Sequence, residues 1–141
     1  MSDQTYILDT SALLTFIEDE VGAEIVENLL IEAEKGSVDI YVSFISLAEA
    51  FYITKRERGN QEALERIRLI QSLALHVQES DECLNIMAGG LKADHRISLA
   101  DAYIAALCQY HQGIIVHKDP ELEQLAPLMK GLQLPYKTKP R

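Results

Sequence analysis

Residues 6–17 read YILDTSALLTFI, and the order of those letters decides the fold. Tyr6 to Asp9 is a short apolar run of β-formers that ends on an acid. TSALLTFI follows at once, and Ser11 is placed to begin a helix. A strand that passes directly into a helix is the first half of a β-α unit. The same alternation continues along the chain. Residues 22–35, GAEIVENLLIEAEK, put Ile25, Val26, Leu29, Leu30 and Ala33 on one helical face, and Gly36 stops the helix. Asp39 to Ser43 is the next strand. Ser46 to Arg58 reads as a helix and Gly59-Asn60 breaks it. Asn60 then caps a second helix to about Ser72. Leu73 to Val77 is a short strand. Ser80, Asp81 and Glu82 open a helix that runs to about Leu91 or Ala93 through Gly89-Gly90. Ser98 opens another, which ends before Gly113. Ile114 to Val116 is a short apolar strand, Asp119-Pro120 opens a turn or one helical turn, and Leu132 to Leu134 is a last strand. Short, wholly apolar strands alternating with helices predict an α/β fold with a mostly parallel sheet buried between helices. Such sheets bind ligands beyond the carboxyl ends of their strands.

The 141 residues suffice for one domain, and 48% hydrophobic with 25% charged residues is a globular balance. A disordered or low-complexity chain is excluded. No uncharged apolar run approaches the roughly 18 residues of a membrane span, so no membrane partner is expected. The start MSDQT has no basic residue before the first apolar run, so a secretory signal is not expected. Cys83 and Cys108 make neither a disulfide framework nor a zinc spacing, which points to a reducing cytoplasm.

Thirteen Lys and Arg against 22 Asp and Glu give a net charge of −9. Residues 1–34 hold nine acids and no base, so the whole excess lies at the N-terminal end. From about 135 the chain ends in a short basic tail with Lys137, Lys139 and Arg141. A net acidic protein repels nucleic acid at long range, so acting on it requires basic patches, bound cations or a basic partner.

Four acids stand where the pattern places a site. Asp9 ends the first strand, and Asp119 follows Ile114–Val116 after a His-Lys pair. Glu49 lies three residues after Ser46 and Asp101 three after Ser98, each in the first turn of an expected helix. Taken singly, each has an ordinary reading. Ser-x-x-Glu is a capping box, Ser-x-x-Asp approximates one, and an acid after a strand forms turns. Taken together, helix starts and strand ends share one rim, where four acids can converge. Two unit charges about 4 Å apart repel by roughly 4 kcal/mol at an effective dielectric near 20. Converging acids must therefore take up protons or bind cations. Oxygen-only ligands suit Mg²⁺ or Mn²⁺ rather than zinc. Such ions support phosphodiester hydrolysis without a Ser or Cys nucleophile.

Asp9 in YILDTSALL, Glu49 in ISLAEAFY, Asp101 in ISLADAYIAAL and Asp119 in IIVHKDPELEQL resemble, in order and spacing, the motif series of PIN-domain proteins. The likeness is to the VapC-type ribonuclease toxins of toxin–antitoxin pairs, and it covers nearly the whole chain. It implies a three-layer fold, a five-stranded sheet of order 3-2-1-4-5 with helices on both faces, and a Mg²⁺- or Mn²⁺-dependent endoribonuclease. It further implies an RNA substrate, a homodimer and a small antitoxin partner. By resemblance, Asp9, Glu49, Asp101 and Asp119 are the catalytic and metal-binding acids. Thr10 and Ser11 match the small polar residues that orient ligands or water. His117 stands where the family often has Ser, Thr or Asn; it either bonds a carboxylate or phosphate or is an exposed loop residue.

Lys92 and Arg96 lie near Asp101 in sequence and are candidates for holding an RNA phosphate. Asp94 reads as a solvated loop acid and His76, His95 and His111 as structural or surface residues. The basic residues Lys55, Arg56, Arg58, Arg66 and Arg68 read as a solvated face. Two other functions share the pattern. A phospho-acceptor signalling domain is also a small parallel α/β fold, but it needs an acidic pair after the first strand, and Thr10 follows Asp9. A non-catalytic module would use the acidic N-terminal third to bind a basic partner, with the four acids as caps.

Overall fold

A computed structural model describes residues 4–136; the basic tail residues Lys137, Lys139 and Arg141 lie outside the described residues. Five strands alternate with six helices: β1 (Gln4–Leu8), α1 (Thr10–Ile17), α2 (Ala23–Glu34), β2 (Val38–Ser43), α3 (Phe44–Arg58), α4 (Asn60–Ser72), β3 (His76–Gln78), α5 (Glu82–Asp94), α6 (Leu99–His111), β4 (Ile114–His117) and β5 (Lys130–Gln133). A 3-10 turn, Pro120–Leu125, follows β4. The strands form one sheet of order β3-β2-β1-β4-β5, and all four pairings are parallel.

β1 lies at the centre of this sheet. It alternates, so that Ile7 packs on one face and Leu8 on the other. One layer joins Leu8, Val42 and Val116 to α1, α2, α3 and α4 through Leu13, Val26, Ala50 and Ile70. The opposite layer joins Ile7 and Ile115 to α5 and α6 through Leu84, Ala88, Ala102, Ala105 and Ala106. The small α6 side chains let that helix lie close to the sheet. Both faces are covered, which is why the strands read as apolar runs rather than alternating ones. Gly113 permits the tight entry into β4, since a Cβ there would stand 2.8 Å from the Thr5 carbonyl oxygen.

Several boundaries differ from the sequence reading by one to three residues: β1 spans Gln4–Leu8, α1 starts at Thr10, β2 starts at Val38 and β4 ends at His117. α3 starts at Phe44 rather than Ser46. Ser43 leaves β2 in extended conformation and caps the helix, its hydroxyl accepting the Ile45 amide at 3.4 Å. β3 pairs over only His76–Gln78, because Leu73 still accompanies the end of α4 through a bond from its amide to the Ile70 carbonyl. β5 begins at Lys130, the partner of Ile114, two residues earlier than expected.

Candidate metal centre

Asp9 follows the last residue of β1, and its amide bonds to the Val116 carbonyl at 3.0 Å, extending the β1–β4 pairing by one step. β1 is flanked by β2 and β4, and the connections from its two sides run over opposite faces of the sheet. Asp9 therefore stands at the crevice where the strand order reverses. Its Oδ1 accepts the Ala12 amide at 2.8 Å, which caps α1, and the Ser11 hydroxyl at 2.7 Å. Both bonds land on the same carboxylate oxygen. Asp101 is the third residue of α6, whose cap Ser98 accepts the Asp101 amide at 3.1 Å. Asp119 caps the 3-10 turn, its Oδ1 accepting the Glu121 amide at 3.0 Å. Carboxylate oxygens of Asp9, Asp101 and Asp119 all lie within 4.8 Å of one another.

Glu49 stands beside this trio rather than in it. Its Oε1 accepts the Thr10 hydroxyl at 2.6 Å, and Thr10 Oγ1 lies 2.9 Å from Ser46 Oγ. Thr10 has one hydroxyl proton and spends it on Glu49, so Ser46 is the donor in the second bond. Ser46 is wholly buried. A second chain of bonds runs through Ser11. Its hydroxyl donates to Asp9 and accepts the Lys118 amide at 2.8 Å, joining the exits of β1 and β4. Lys118 Nζ reaches the Val21 carbonyl at 2.7 Å, away from the acids.

Asp9 is 2% exposed and Asp101 8%, so both acids are largely stripped of water. Burial raises the Asp9 carboxyl from 3.8 to about 7; its bonds to Ser11 and Ala12 oppose the rise, while the charges of Asp119 and Glu49 add to it. Burial likewise raises Asp101 to about 8, reinforced by hydrogen bonding with Asp119 and by the charges of Asp119, Asp9 and Glu49. Among the described residues no Lys, Arg or His pairs with any of the four acids. Close, desolvated carboxylates with no cationic partner and no sulfur or imidazole in the set fit a hard divalent cation.

The family model that matches the chain is that of the PIN domain, over residues 6–128. The chain belongs to the PIN-domain family. Solved structures share its fold. VapBC2 from Rickettsia felis, bound to a promoter DNA fragment, aligns at TM-score 0.75 and 17% identity, covering 94% of this chain and 100% of that one. DNA-bound VapBC from Salmonella typhimurium aligns at 0.72 and 18%, covering 92% and 98%. VapC20 from Mycobacterium tuberculosis, a toxin that cleaves the sarcin–ricin loop, aligns at 0.65 and 16%, covering 84% and 93%. No curated protein matches the sequence significantly.

On this PIN frame the other sequence candidates separate. Thr10 and Ser11 touch the acids directly, Thr10 through Glu49 and Ser11 through Asp9. His117 is buried, not exposed. Its Nδ1 meets the Asp119 carbonyl at 3.1 Å and amide at 3.3 Å, and its Nε2 edge faces Gly131 on β5. It shapes the turn that carries Asp119. Burial lowers its pKa, keeping the imidazole neutral. Lys92 donates to the Ile97 carbonyl at 2.7 Å, bracing the loop before α6, whereas the exposed Arg96 side chain has no partner among the described residues. The capping alternative holds for Asp9 and Asp119, whose side chains cap and cluster at once. Half of it holds for Asp101, whose amide is capped while its side chain joins the cluster. It does not hold for Glu49: with α3 starting at Phe44, Ser46 is an interior residue, and the pair is no capping box. Ser46 and Lys118 are the contacts that sequence reasoning missed. Ser46 looked like a cap because Ser43, three residues earlier, has the same side chain, and the Lys118 contact uses its backbone.

Proposed function

We propose that this chain is a Mg²⁺- or Mn²⁺-dependent endoribonuclease acting in the cytoplasm, the toxin of a toxin–antitoxin pair. The observation that carries the reading is the convergence of Asp9, Asp101 and Asp119 within 4.8 Å, on a rim reached from three separate chain segments. Asp9, Asp101 and Asp119 would hold the ion, with Glu49 as the fourth acid. Bound there, the ion supplies positive charge that polarises a phosphodiester and acidifies water. The chain's own residues do the rest. Ser11 fixes Asp9, and Thr10 fixes Glu49, whose carboxylate would accept a proton from water. Water adds to phosphorus, one P–O ester bond breaks, and the departing oxygen takes a proton. Arg96, exposed and with no side-chain partner among the described residues, would hold a flanking phosphate and offset the repulsion of an acidic protein.

Membership in the PIN family supports nuclease chemistry, and the VapBC likenesses support an antitoxin partner; a homodimer belongs to the same proposal. The site weighs against a non-catalytic module in which the four acids are only caps, because the Asp101 side chain joins the cluster and the Glu49 side chain accepts from Thr10 rather than capping its helix. An RNA digest with Mn²⁺, with chelator, and with Asp101→Asn tests the reading. Cleavage only in the first arm is expected; cleavage that survives chelation or the substitution overturns it.

A further inference from the structure

Gln124 joins the two segments that carry Asp101 and Asp119. Its Oε1 accepts the Arg96 amide at 3.2 Å, and its Nε2 donates to the Arg96 carbonyl at 3.2 Å. The same Nε2 donates to the Glu121 carbonyl at 2.9 Å. A side-chain amide that accepts from and donates to one residue's backbone acts as a one-residue β-bridge. Arg96 lies in the loop between α5 and α6, two residues before the cap Ser98 that takes the Asp101 amide. Glu121 is the residue whose amide bonds to Asp119 Oδ1. The side chain thus ties the loop leading to Asp101 to the turn that Asp119 caps.

The tie spans a gap that the sheet does not close. β4 ends at His117 and β5 begins at Lys130, so the stretch carrying Asp119 lies outside the strand ladder. Leu122 and Leu125 seat that stretch on the core below. Sideways, Gln124 bonds it to the loop before α6.

We propose that Gln124 is a positioning residue: it fixes the 3-10 turn against the loop before α6 and so sets the separation of Asp101 and Asp119 that a divalent cation needs. This rests on the metal-dependent reading above. Residues that orient ligands from outside the coordination shell typically change metal affinity about 10–100-fold when replaced.

The test compares wild type, Gln124→Met and Gln124→Asn. Met has nearly the same shape and no amide; Asn keeps the amide but is one methylene too short to span the gap. Mn²⁺ affinity is measured by calorimetry, and Tm is measured with and without Mn²⁺. Both variants are expected to bind Mn²⁺ about 10-fold more weakly and to show a smaller Mn²⁺-induced rise in Tm. A purely structural side chain would lower Tm equally with and without Mn²⁺. Wild-type affinity in either folded variant, or an undiminished Mn²⁺-induced rise, overturns the role of Gln124 alone. Absence of any Mn²⁺ effect on wild type overturns the metal reading as well.

Discussion

Thr10 Oγ1 lies 2.6 Å from Glu49 Oε1, and this contact locks an acid on α3 to the first residue of α1. The same oxygen accepts from buried Ser46, so one hydroxyl ties α1 to α3 at two residues. Thr10→Val keeps the shape and strands the Ser46 hydroxyl, at a cost of about 1–3 kcal/mol. It also frees Glu49, and cleavage is expected to fall about 10-fold. Thr10→Ser retains the hydroxyl and should stay near wild type in both. Melting curves and RNA cleavage rates check the pair; equal losses in Val and Ser would argue for the methyl group instead.

Replacing a crowded acid by its amide should stabilise the metal-free fold while removing the chemistry. In Asp9→Asn the side-chain oxygen still accepts from Ala12 and Ser11, so the α1 cap survives. Asp9→Asn and Asp101→Asn are each expected to raise metal-free stability at pH 8 by about 1–3 kcal/mol and to abolish cleavage. Denaturant unfolding in chelator, beside a digest in Mn²⁺, measures both.

Metal-free stability should fall as pH rises. Asp9 and Asp101 hold protons up to about 7 and about 8 in the fold, against an ordinary 3.8, so the folded state binds more protons across that window. Their contribution is fully present below the ordinary value and is lost as pH passes the folded values. Glu18 has the opposite sign. Its hydrogen bond to Arg66 lowers its pKa, so its contribution is present above the ordinary 4.5 and lost in acid. In chelator, Tm is therefore expected to peak on the acid side of neutrality and decline toward pH 8. Saturating Mn²⁺ should flatten that decline, and apparent Mn²⁺ affinity should rise with pH until both acids are deprotonated. A Tm that climbs from pH 6 to pH 8 in chelator would contradict the assigned burial.

Glu18 ends α1 and binds Arg66 of α4 and Arg58 of α3, the latter at 2.9 Å. The Arg66 side chain is only 11% exposed, which shields that ion pair from solvent. Arg66→Met should cost about 1–3 kcal/mol, whereas Arg58→Met, at 47% exposure, should cost less than about 1 kcal/mol. Neither should change Mn²⁺ affinity. Urea unfolding separates the two variants.

His117 should prove structural. Its ring bonds the backbone of Asp119 and is held neutral by burial. His117→Ala is expected to lose about 1–3 kcal/mol of stability. His117→Asn, which keeps a short polar group near the turn, should recover much of the cleavage lost in the alanine variant. Cleavage rates measured well below each variant's Tm test this.

YILD, DIYVS and IIV were legible as buried parallel strands because a strand covered on both faces needs apolar residues at successive positions. The helices between them were legible from their 3.6-residue spacing and polar starts. The four acids could be listed, because each sits at a strand exit or helix start, places that a parallel fold brings to one rim. Sequence could not rank them. Asp9, Asp101 and Asp119 draw together while Glu49 stays with Thr10, and that depends on α3 beginning at Phe44, where two serines three residues apart offered equal caps. Nor could it find Ser46, the Lys118 amide or Gln124. Local patterns encode what each segment becomes; which backbone groups meet across 28 to 107 positions of chain is decided only when the packed layers bring them within bonding distance.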